Sequence, residues 1–366
     1  MNSILAQIKF WWLSLDRWIV FSIILLMIIG IFLILSSSSI YANRLDISEN
    51  YLIKRHLFIL PICICIIIAI TNFSVEKIVI FSFITFSVSL VLSIIPNFVS
   101  NEIKGASRWI SLYGFSIQPS EFLKPTFVIV TATLLSRFQK KKDNSLKINI
   151  FLLSLIGSVL FFQPDFGMFL LILLTWFSQL ILFGVSKKIM FFLLLLGLII
   201  VISAYLALDH VRFRIDNYFQ PDTGDNYQVY KSIDSFTNGG FFGQGLGAGE
   251  VSQYLPDVYS DFILSLAAEE LGLISVLIVV TLYSFIFYRS IYHSTRKNDI
   301  FYFLSISGLA IIFILQTMIN IFSTLNLIPT KGMTLPFLSY GGSSLISCAI
   351  LIGFILSLSK IKYEKV

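Results

Sequence analysis

Charged side chains are scarce in this sequence. Asp, Glu, Lys and Arg together make up 13% of the 366 residues, whereas hydrophobic residues make up 57%. Soluble globular domains carry about 25% charged residues, so this composition excludes an ordinary soluble domain of this length. No segment stands out as a separate polar domain. The sequence therefore predicts a single membrane domain over residues 1–366.

Cysteine and histidine are also scarce. Cys63, Cys65 and Cys348 lie in apolar runs, which predicts small hydrophobic side chains and not a disulfide framework. The three histidines are scattered and make no metal-ligand spacing. In a membrane protein, the formal charge of +6 is expected to lie mainly in cytoplasmic loops. We therefore predict no nucleic-acid partner.

Long hydrophobic runs dominate the chain, and a helix that spans the bilayer needs about 20 apolar residues. Ten candidate spans lie near residues 18–38, 55–72, 77–97, 119–136, 149–163, 167–185, 189–208, 261–288, 301–323 and 340–359. Ten spans place both termini on one side, where the segments carry 16 Lys and Arg residues against 9 opposite. The positive-inside rule then predicts an all-α polytopic protein with cytoplasmic termini and a large extracytoplasmic loop, residues 209–260, between spans seven and eight.

One polar run interrupts the hydrophobic pattern. Residues 227–272 contain six glycines between positions 239 and 249, and glycine is costly inside a regular helix. This pattern predicts a turn-rich loop. Asp261 stands where the next apolar helix begins, and an ionisable group at a membrane boundary is a functional candidate. The alternative is that Asp261 caps the helix, since Asp is favoured near helix N-termini.

Several ionisable residues fall inside or between the predicted spans. Glu121 and Lys124 are one helical turn apart and are expected to pair. Asp165 lies at the break between the fifth and sixth spans, and Glu269 and Glu270 lie within the eighth. Such groups should face the bundle interior or a water-filled cavity. They could serve function or act as buried contacts that fix helix register.

Cations persist on the predicted outer face. Any one of them could be a solvated loop charge or a contact to lipid headgroups. Together they could bind an anionic substrate, because Lys and Arg are the usual partners of phosphate oxygens. They are Lys104, Arg108, Arg212, Arg214 and Lys331.

Five blocks of sequence, in order, resemble the SEDS family of membrane proteins. The blocks are residues 105–110 (GASRWI) with 118–124 (QPSEFLK), 163–167 (QPDFG), 239–245 (GGFFGQG), 255–262 (LPDVYSDF) with 269–272 (EELG), and 332–344 (GMTLPFLSYGGSS). Residues 11–18 and 232–240 resemble the division branch of the family more than the elongation branch. The blocks span most of the chain, and their order makes the resemblance specific.

The resemblance implies a peptidoglycan glycosyltransferase of the bacterial cytoplasmic membrane. Such enzymes polymerise lipid II into glycan strands at the outer face of that membrane. They act with a class B penicillin-binding protein, a transpeptidase. Similarity to the division branch implies other division proteins as partners and the septum as the location. The alternatives are an elongation-type polymerase, a flippase for lipid II, and a scaffold that recruits the transpeptidase.

The resemblance also implies roles for individual residues. It makes Asp261 the general base of an inverting transfer that releases undecaprenyl pyrophosphate. The expected substrate-binding residues are Lys104, Arg108, Trp109, Gln118, Ser120, Glu121, Lys124, Asp165, Arg214, Lys331 and Ser339. The sequence requires no cofactor, although a divalent cation (Mg²⁺ or Mn²⁺) could assist, and no metal ligands are assigned. The sequence departs from the family pattern at Tyr259 and Ser260, where a His and a Thr usually precede the aspartate.

Overall fold

The computed structural model describes residues 2–45, 48–96, 108–112, 115–219 and 227–360. Helices dominate this part of the chain. In chain order they are α1 (Asn2–Ser14), α2 (Arg17–Leu45), α3 (Tyr51–Thr71), α4 (Val75–Ile94), α5 (Ser120–Lys141), α6 (Ser145–Phe162), α7 (Phe166–Phe183), α8 (Lys187–Ala207), α9 (Asp209–Phe219), α10 (Tyr227–Gly239), α11 (Ile263–Thr295), α12 (Ile300–Thr324) and α13 (Gly342–Ser359). A hairpin of strands β1 (Ile110–Leu112) and β2 (Phe115–Ile117) precedes α5, and a 3₁₀ turn covers Ser252–Tyr254.

The ten longest helices coincide with the ten predicted spans. Within the described residues, nine of them are long and apolar enough to cross a membrane. This agreement follows from the bilayer, in which an unpaired backbone amide is so costly that apolar segments must form helices. The remaining predicted span coincides with α5, which is long but less apolar. The crossing of α5, the count of ten and the sidedness of the loops stay predictions.

Helix α5 lies at the centre of the bundle. It packs against α4, α6, α7, α12 and α13, and most of its side chains are buried. Its polar groups are therefore enclosed by protein, which explains how a helix of modest hydropathy occupies the core. Helix α8 is the opposite case. It buries only Ala204 among its described side chains, so nearly all of its apolar surface faces outward.

Helix α11 is broken at Gly272. The backbone there has φ 79° and ψ 175°, a conformation that favours glycine. A Cβ at this position would lie 2.3 Å from the carbonyl oxygen of Phe241, so the glycine also allows close backbone contact. The carbonyl groups of Glu269 and Glu270, left without partners inside the helix by the break, accept hydrogen bonds from the backbone amides of Gln244 and Gly245. The glycine-rich segment thus completes the hydrogen bonding of the broken helix.

The prediction of a turn-rich loop is right for residues 240–262 and wrong for Tyr227–Gly239, which forms α10. That helix is amphipathic and buries Val229, Ser232, Ser235 and Gly239, residues spaced three or four apart. Packing against α11 stabilises it although its sequence ends in glycine. Residues 209–219 of the same predicted loop also form a helix, α9.

Candidate active site

A cavity of about 810 Å³ opens between these elements. Its walls come from α3, α5, α9, α10 and α12, from the segments that precede α5, α7, α11 and α13, and from the first turns of α7 and α13. Nine of the twelve predicted site residues line it, which are Arg108, Trp109, Gln118, Glu121, Lys124, Asp165, Arg214, Asp261 and Lys331. Lys104 lies outside the described residues. The fold thus collects side chains that are up to 223 positions apart in the sequence, from Arg108 to Lys331.

Ser120 and Ser339 are not among the residues that line the cavity, and a direct contact of either with a substrate stays a prediction. Both are buried. The hydroxyl of Ser120 accepts a hydrogen bond from Gln118 Nε2 at 3.2 Å. Ser339 Oγ donates to the carbonyl of Ser260 at 2.6 Å and accepts from the amide of Leu335 at 2.9 Å. Ser120 therefore orients Gln118, and Ser339 holds the segment that carries Asp261.

Asp165 gathers cations at one side of the cavity. Its carboxylate caps the N-terminus of α7 by accepting a hydrogen bond from the amide of Met168 at 3.2 Å. Lys331 Nζ lies 3.6 Å from Oδ1, and Arg108 Nε lies 3.8 Å from Oδ2. Burial alone would raise the pKa of Asp165, but the charges of Lys331 and Arg108 outweigh it and hold the pKa below its ordinary value. The carboxylate is therefore charged at neutral pH.

The cations themselves are held in place by the backbone. Arg108 donates to the carbonyl oxygens of Gln163, at 3.2 Å, and Pro164. The side chain of Lys331 lies against Gly167, where an added Cβ would come within 2.0 Å of its Cδ. Burial lowers the pKa of Lys331 to about 8, so its charge changes near physiological pH. We call Arg108, Asp165, Arg214 and Lys331 the cation cluster.

Asp261 borders this cluster. Its carboxylate lies so close to Gly332 that a Cβ there would be 2.5 Å from Oδ2, and Gly332 directly follows Lys331. The negative charge of Asp261 also acts on Arg214, whose pKa burial lowers. Asn320 Nδ2 donates to the Asp261 carbonyl at 2.8 Å, which fixes the backbone. The N-cap of α11 is Phe262, so the reading of Asp261 as the capping residue is wrong.

The predicted pairing of Glu121 with Lys124 is confirmed. Lys124 Nζ lies 2.6 Å from Glu121 Oε2 and donates to Gln316 Oε1 at 2.7 Å. Gln316 in turn donates to the carbonyl of Thr334 at 2.9 Å. All four residues line the cavity, so the pair faces the bundle interior as expected.

Glu269 and Glu270 serve the loop and not the cavity. Glu269 is buried and accepts hydrogen bonds from the amides of Glu250, Val251 and Ser252 and from Asn238 Nδ2, at 2.7 to 3.0 Å. One carboxylate thus binds the chain on both sides of the glycine-rich turns. Glu270 accepts a hydrogen bond from Ser36 on α2. Neither residue is among those that line the cavity.

Sequence reasoning missed several residues of the site. Arg55 lies outside every recognised block, and nothing in its sequence surroundings marks it. Tyr340 falls within a recognised block, 332–344, and could have been selected there. Asn320 and Gln316 are polar residues on the apolar helix α12, which was an available signal of inward-facing groups.

The described residues do not fit a protein-held metal centre. They contain no group of three or more His, Cys, Asp or Glu side chains that could hold an ion. Asp165 and Asp261 both line the cavity, but Lys331 and Arg108 already compensate the charge of Asp165. A divalent cation would therefore need most of its ligands from outside these residues.

Comparison with known proteins agrees with the resemblance seen in the sequence. A family model described as cell cycle protein, covering FtsW, RodA and SpoVE, matches residues 16–364. A relative from Caulobacter vibrioides, described as a probable peptidoglycan glycosyltransferase FtsW, is 33% identical over 95% of this chain and 90% of its own length. A relative of the same description from Bacillus subtilis is 32% identical over 96% and 92%.

Solved structures share the fold. A chain from a study of structural coordination of polymerization and crosslinking by a peptidoglycan synthase complex superposes with a TM-score of 0.78 and 22% identity, over 95% of this chain and 98% of that chain. The rod shape determining protein RodA of Thermus thermophilus gives a TM-score of 0.70 and 23% identity over 95% and 97%. The chain belongs to the FtsW, RodA and SpoVE family of cell cycle proteins, the SEDS family.

Proposed function

We propose that this peptidoglycan glycosyltransferase polymerises lipid II at the outer face of the cytoplasmic membrane, with Asp261 as the general base. The observation that carries the proposal is the position of Asp261, whose carboxylate shares one cavity with Arg108, Arg214 and Lys331. An acidic side chain beside a set of cations suits a transfer in which a hydroxyl loses a proton and a pyrophosphate departs.

The reaction joins two lipid-linked sugars. The 4-hydroxyl of one lipid II attacks the anomeric carbon of the lipid-linked glycan and forms the new C–O bond. The bond between that carbon and the pyrophosphate oxygen breaks, and its electron pair leaves with undecaprenyl pyrophosphate. Asp261 takes the proton of the attacking hydroxyl. Attack opposite the leaving group converts an α-linked donor into a β-linked product.

The cation cluster supports the leaving group. Charged hydrogen bonds from Arg108, Arg214 and Lys331 would stabilise the negative charge that develops on the pyrophosphate. No acid is needed to protonate it, because pyrophosphate leaves readily once its charge is met. Asp165 holds the ammonium of Lys331 and the guanidinium of Arg108 in position before the substrate binds. A divalent cation carried by the pyrophosphate could add to this stabilisation, and its role is part of the proposal.

The division branch of the family is the better supported assignment. The relatives reported above carry the FtsW description, and an elongation role of the RodA type has support only from the shared fold. We therefore place the protein at the division septum with other division proteins. The neighbouring structure of a complex that coordinates polymerization and crosslinking supports a class B penicillin-binding protein as the partner.

The test uses the purified protein in lipid vesicles with the partner transpeptidase and fluorescent lipid II. Wild type is expected to form glycan strands, and Asp261→Asn is expected to form them at least about 100-fold more slowly while unfolding at the same temperature. Translocation of lipid II across the same vesicles is measured in parallel. Strand formation by both proteins at similar rates would refute the assignment of the base. Lipid II movement without strands from wild type would favour the flippase.

A further inference from the structure

Four tyrosines and one arginine from four separate parts of the chain lie together beside the cavity. Tyr41 comes from α2, Tyr51 and Arg55 come from α3, and Tyr259 and Tyr340 come from the segments before α11 and α13. We call these five residues the tyrosine cluster. None of them is assigned a role in the transfer above. Tyr259 also stands at the position where the sequence departs from the family pattern.

The rings form a continuous aromatic group. Tyr259 makes edge-on contacts with Tyr41, at a centroid distance of 4.9 Å, and with Tyr340, at 5.9 Å. Tyr41 stacks with Tyr51 at 6.4 Å. The guanidinium of Arg55 lies 4.5 Å above the ring of Tyr51 and hydrogen-bonds the hydroxyl of Tyr340. A backbone hydrogen bond from the Tyr340 amide to the Tyr259 carbonyl, at 2.9 Å, ties the two segments together.

The side chains of the tyrosine cluster are not fully enclosed by protein. All five side chains are only partly buried, and Tyr259, Tyr340 and Arg55 line the cavity. Burial raises the pKa of the Tyr259 and Tyr340 hydroxyls, so both stay neutral and can donate and accept hydrogen bonds. The cavity therefore has a wall of aromatic rings edged with hydroxyl groups.

Asp261 lies close to both groups of residues. It follows Tyr259 by two positions, and its carboxylate lies against Gly332, the residue directly after Lys331. Tyr259, Tyr340 and Arg55 line the same cavity as Arg108, Arg214 and Lys331. The aromatic wall also carries two groups of opposite charge, the guanidinium of Arg55 and the carboxylate of Asp257, which accepts a hydrogen bond from Tyr259 at 3.5 Å.

These two walls match the two reactants of the transfer. The donor presents a pyrophosphate next to the carbon that is attacked. The acceptor presents an uncharged N-acetylglucosamine ring whose 4-hydroxyl attacks, and its own pyrophosphate is on the far side of the disaccharide. Pyranose rings have apolar C–H faces that pack on aromatic rings and hydroxyl edges that pair with Tyr, Asp and Arg groups. The positive charge of Arg55 on this wall is offset by the carboxylate of Asp257, which also lines the cavity, so the wall offers a pyrophosphate no excess of positive charge.

We propose that the tyrosine cluster is the acceptor subsite, where Tyr259 and Tyr340 hold the terminal N-acetylglucosamine of lipid II with its 4-hydroxyl toward Asp261. This assignment rests on the proposed function and deepens it, because it gives the acceptor and the donor separate groups of residues beside one base. It also gives a role to Tyr259, which here supplies a sugar-binding ring in place of an imidazole.

Direct binding tests the subsite without requiring turnover. The probes are the soluble methyl glycoside of N-acetylglucosaminyl-β-1,4-N-acetylmuramic acid and inorganic pyrophosphate. Affinities for the purified full-length protein are measured by saturation-transfer NMR and calorimetry. Tyr259→Leu and Tyr340→Leu should weaken disaccharide binding about tenfold, because leucine fills space but offers no ring face. Their affinity for pyrophosphate should stay at the wild-type value, whereas Arg108→Ala should show the reverse pattern.

Two further variants separate stacking from folding. Tyr259→Phe keeps the ring and should bind the disaccharide nearly as well as wild type. Tyr288→Leu, at an exposed tyrosine on α11 that does not line the cavity, should change neither affinity. Unchanged disaccharide binding in Tyr259→Leu and Tyr340→Leu would overturn the inference. Equal loss of both probes in these variants would also overturn it, since that result indicates a structural role.

Different experimental results would reject the acceptor subsite and the proposed function. Strand formation by wild type with tyrosine-independent disaccharide binding would reject the subsite and leave the polymerase intact. A wild-type protein that forms no strands would reject the proposed function, whatever the sugar affinities are.

Discussion

A methyl group added at Gly332 should displace the carboxylate of Asp261 without removing it. The Cβ of Gly332→Ala would lie 2.5 Å from Oδ2, whereas ordinary van der Waals contact begins at 3.4 Å. The carboxylate would have to retreat by about 0.9 Å, the difference between these two distances. The backbone at Gly332 is not left-handed, so alanine itself meets no conformational penalty there.

The expected effect is large because catalysis depends on position. A displacement of about 1 Å costs on the order of 100-fold in rate. That loss corresponds to about 2.7 kcal/mol of transition-state stabilisation. It should appear in kcat, because a displaced base affects proton transfer while the substrate still meets the same walls of the cavity.

The assay is strand formation from fluorescent lipid II by purified protein with its transpeptidase. Gly197→Ala on α8 is the matched control, since no atom lies within 4 Å of the Cβ it adds. Thermal unfolding of both variants should resemble that of wild type. Strand formation by Gly332→Ala at the wild-type rate would refute the reasoning, because the reaction would then be insensitive to the position of Asp261.

Three further predictions concern the residues around the base. Gly167→Ala should push the Lys331 side chain away and weaken pyrophosphate binding measured by calorimetry, while Gly197→Ala should leave it unchanged; equal affinities would contradict the packing. Pyrophosphate affinity should fall as pH rises through about 8, because Lys331 loses its charge there. Lys331→Met should remove this change, so that the only pH dependence left is the one that comes from the titration of pyrophosphate itself. Glu269→Gln should lower the free energy of unfolding by about 2 kcal/mol, because the new NH₂ group would face the Ser252 amide and leave it without an acceptor, whereas the exposed Glu250→Gln should not.

Hydropathy was sufficient for the long helices because the bilayer leaves apolar segments few alternatives. It was insufficient for α10, where the glycines that follow Tyr227–Gly239 suggested a loop through the whole run. The amphipathic spacing of Val229, Ser232 and Ser235 was present in the sequence. The break at Gly272 could not be predicted from its neighbours, because the amides that satisfy the helix carbonyls come from residues about 25 positions away.

In the candidate site, too, single residues could be predicted from the sequence but their contacts could not. Asp165 and Asp261 were identified singly from matched blocks and Lys331 as a cation of the predicted outer face, but their convergence depends on contacts across as many as 166 positions, from Asp165 to Lys331. Ser339 belongs to a matched block but is not among the residues that line the cavity, and its hydroxyl donates to the carbonyl of Ser260. Arg55 lies in no block at all. Its place beside Tyr340 follows only from the packing of α3 against α13.

The most direct test of the account is the rate of strand formation by Asp261→Asn at saturating lipid II, with the affinity for lipid II measured on the same protein. Asparagine has the shape of aspartate but cannot take the proton. Loss of a general base should lower the rate by about 100-fold to 10,000-fold, and lipid II should bind as it does to wild type. Strand formation by Asp261→Asn at a rate near that of wild type would contradict the central role of this carboxylate.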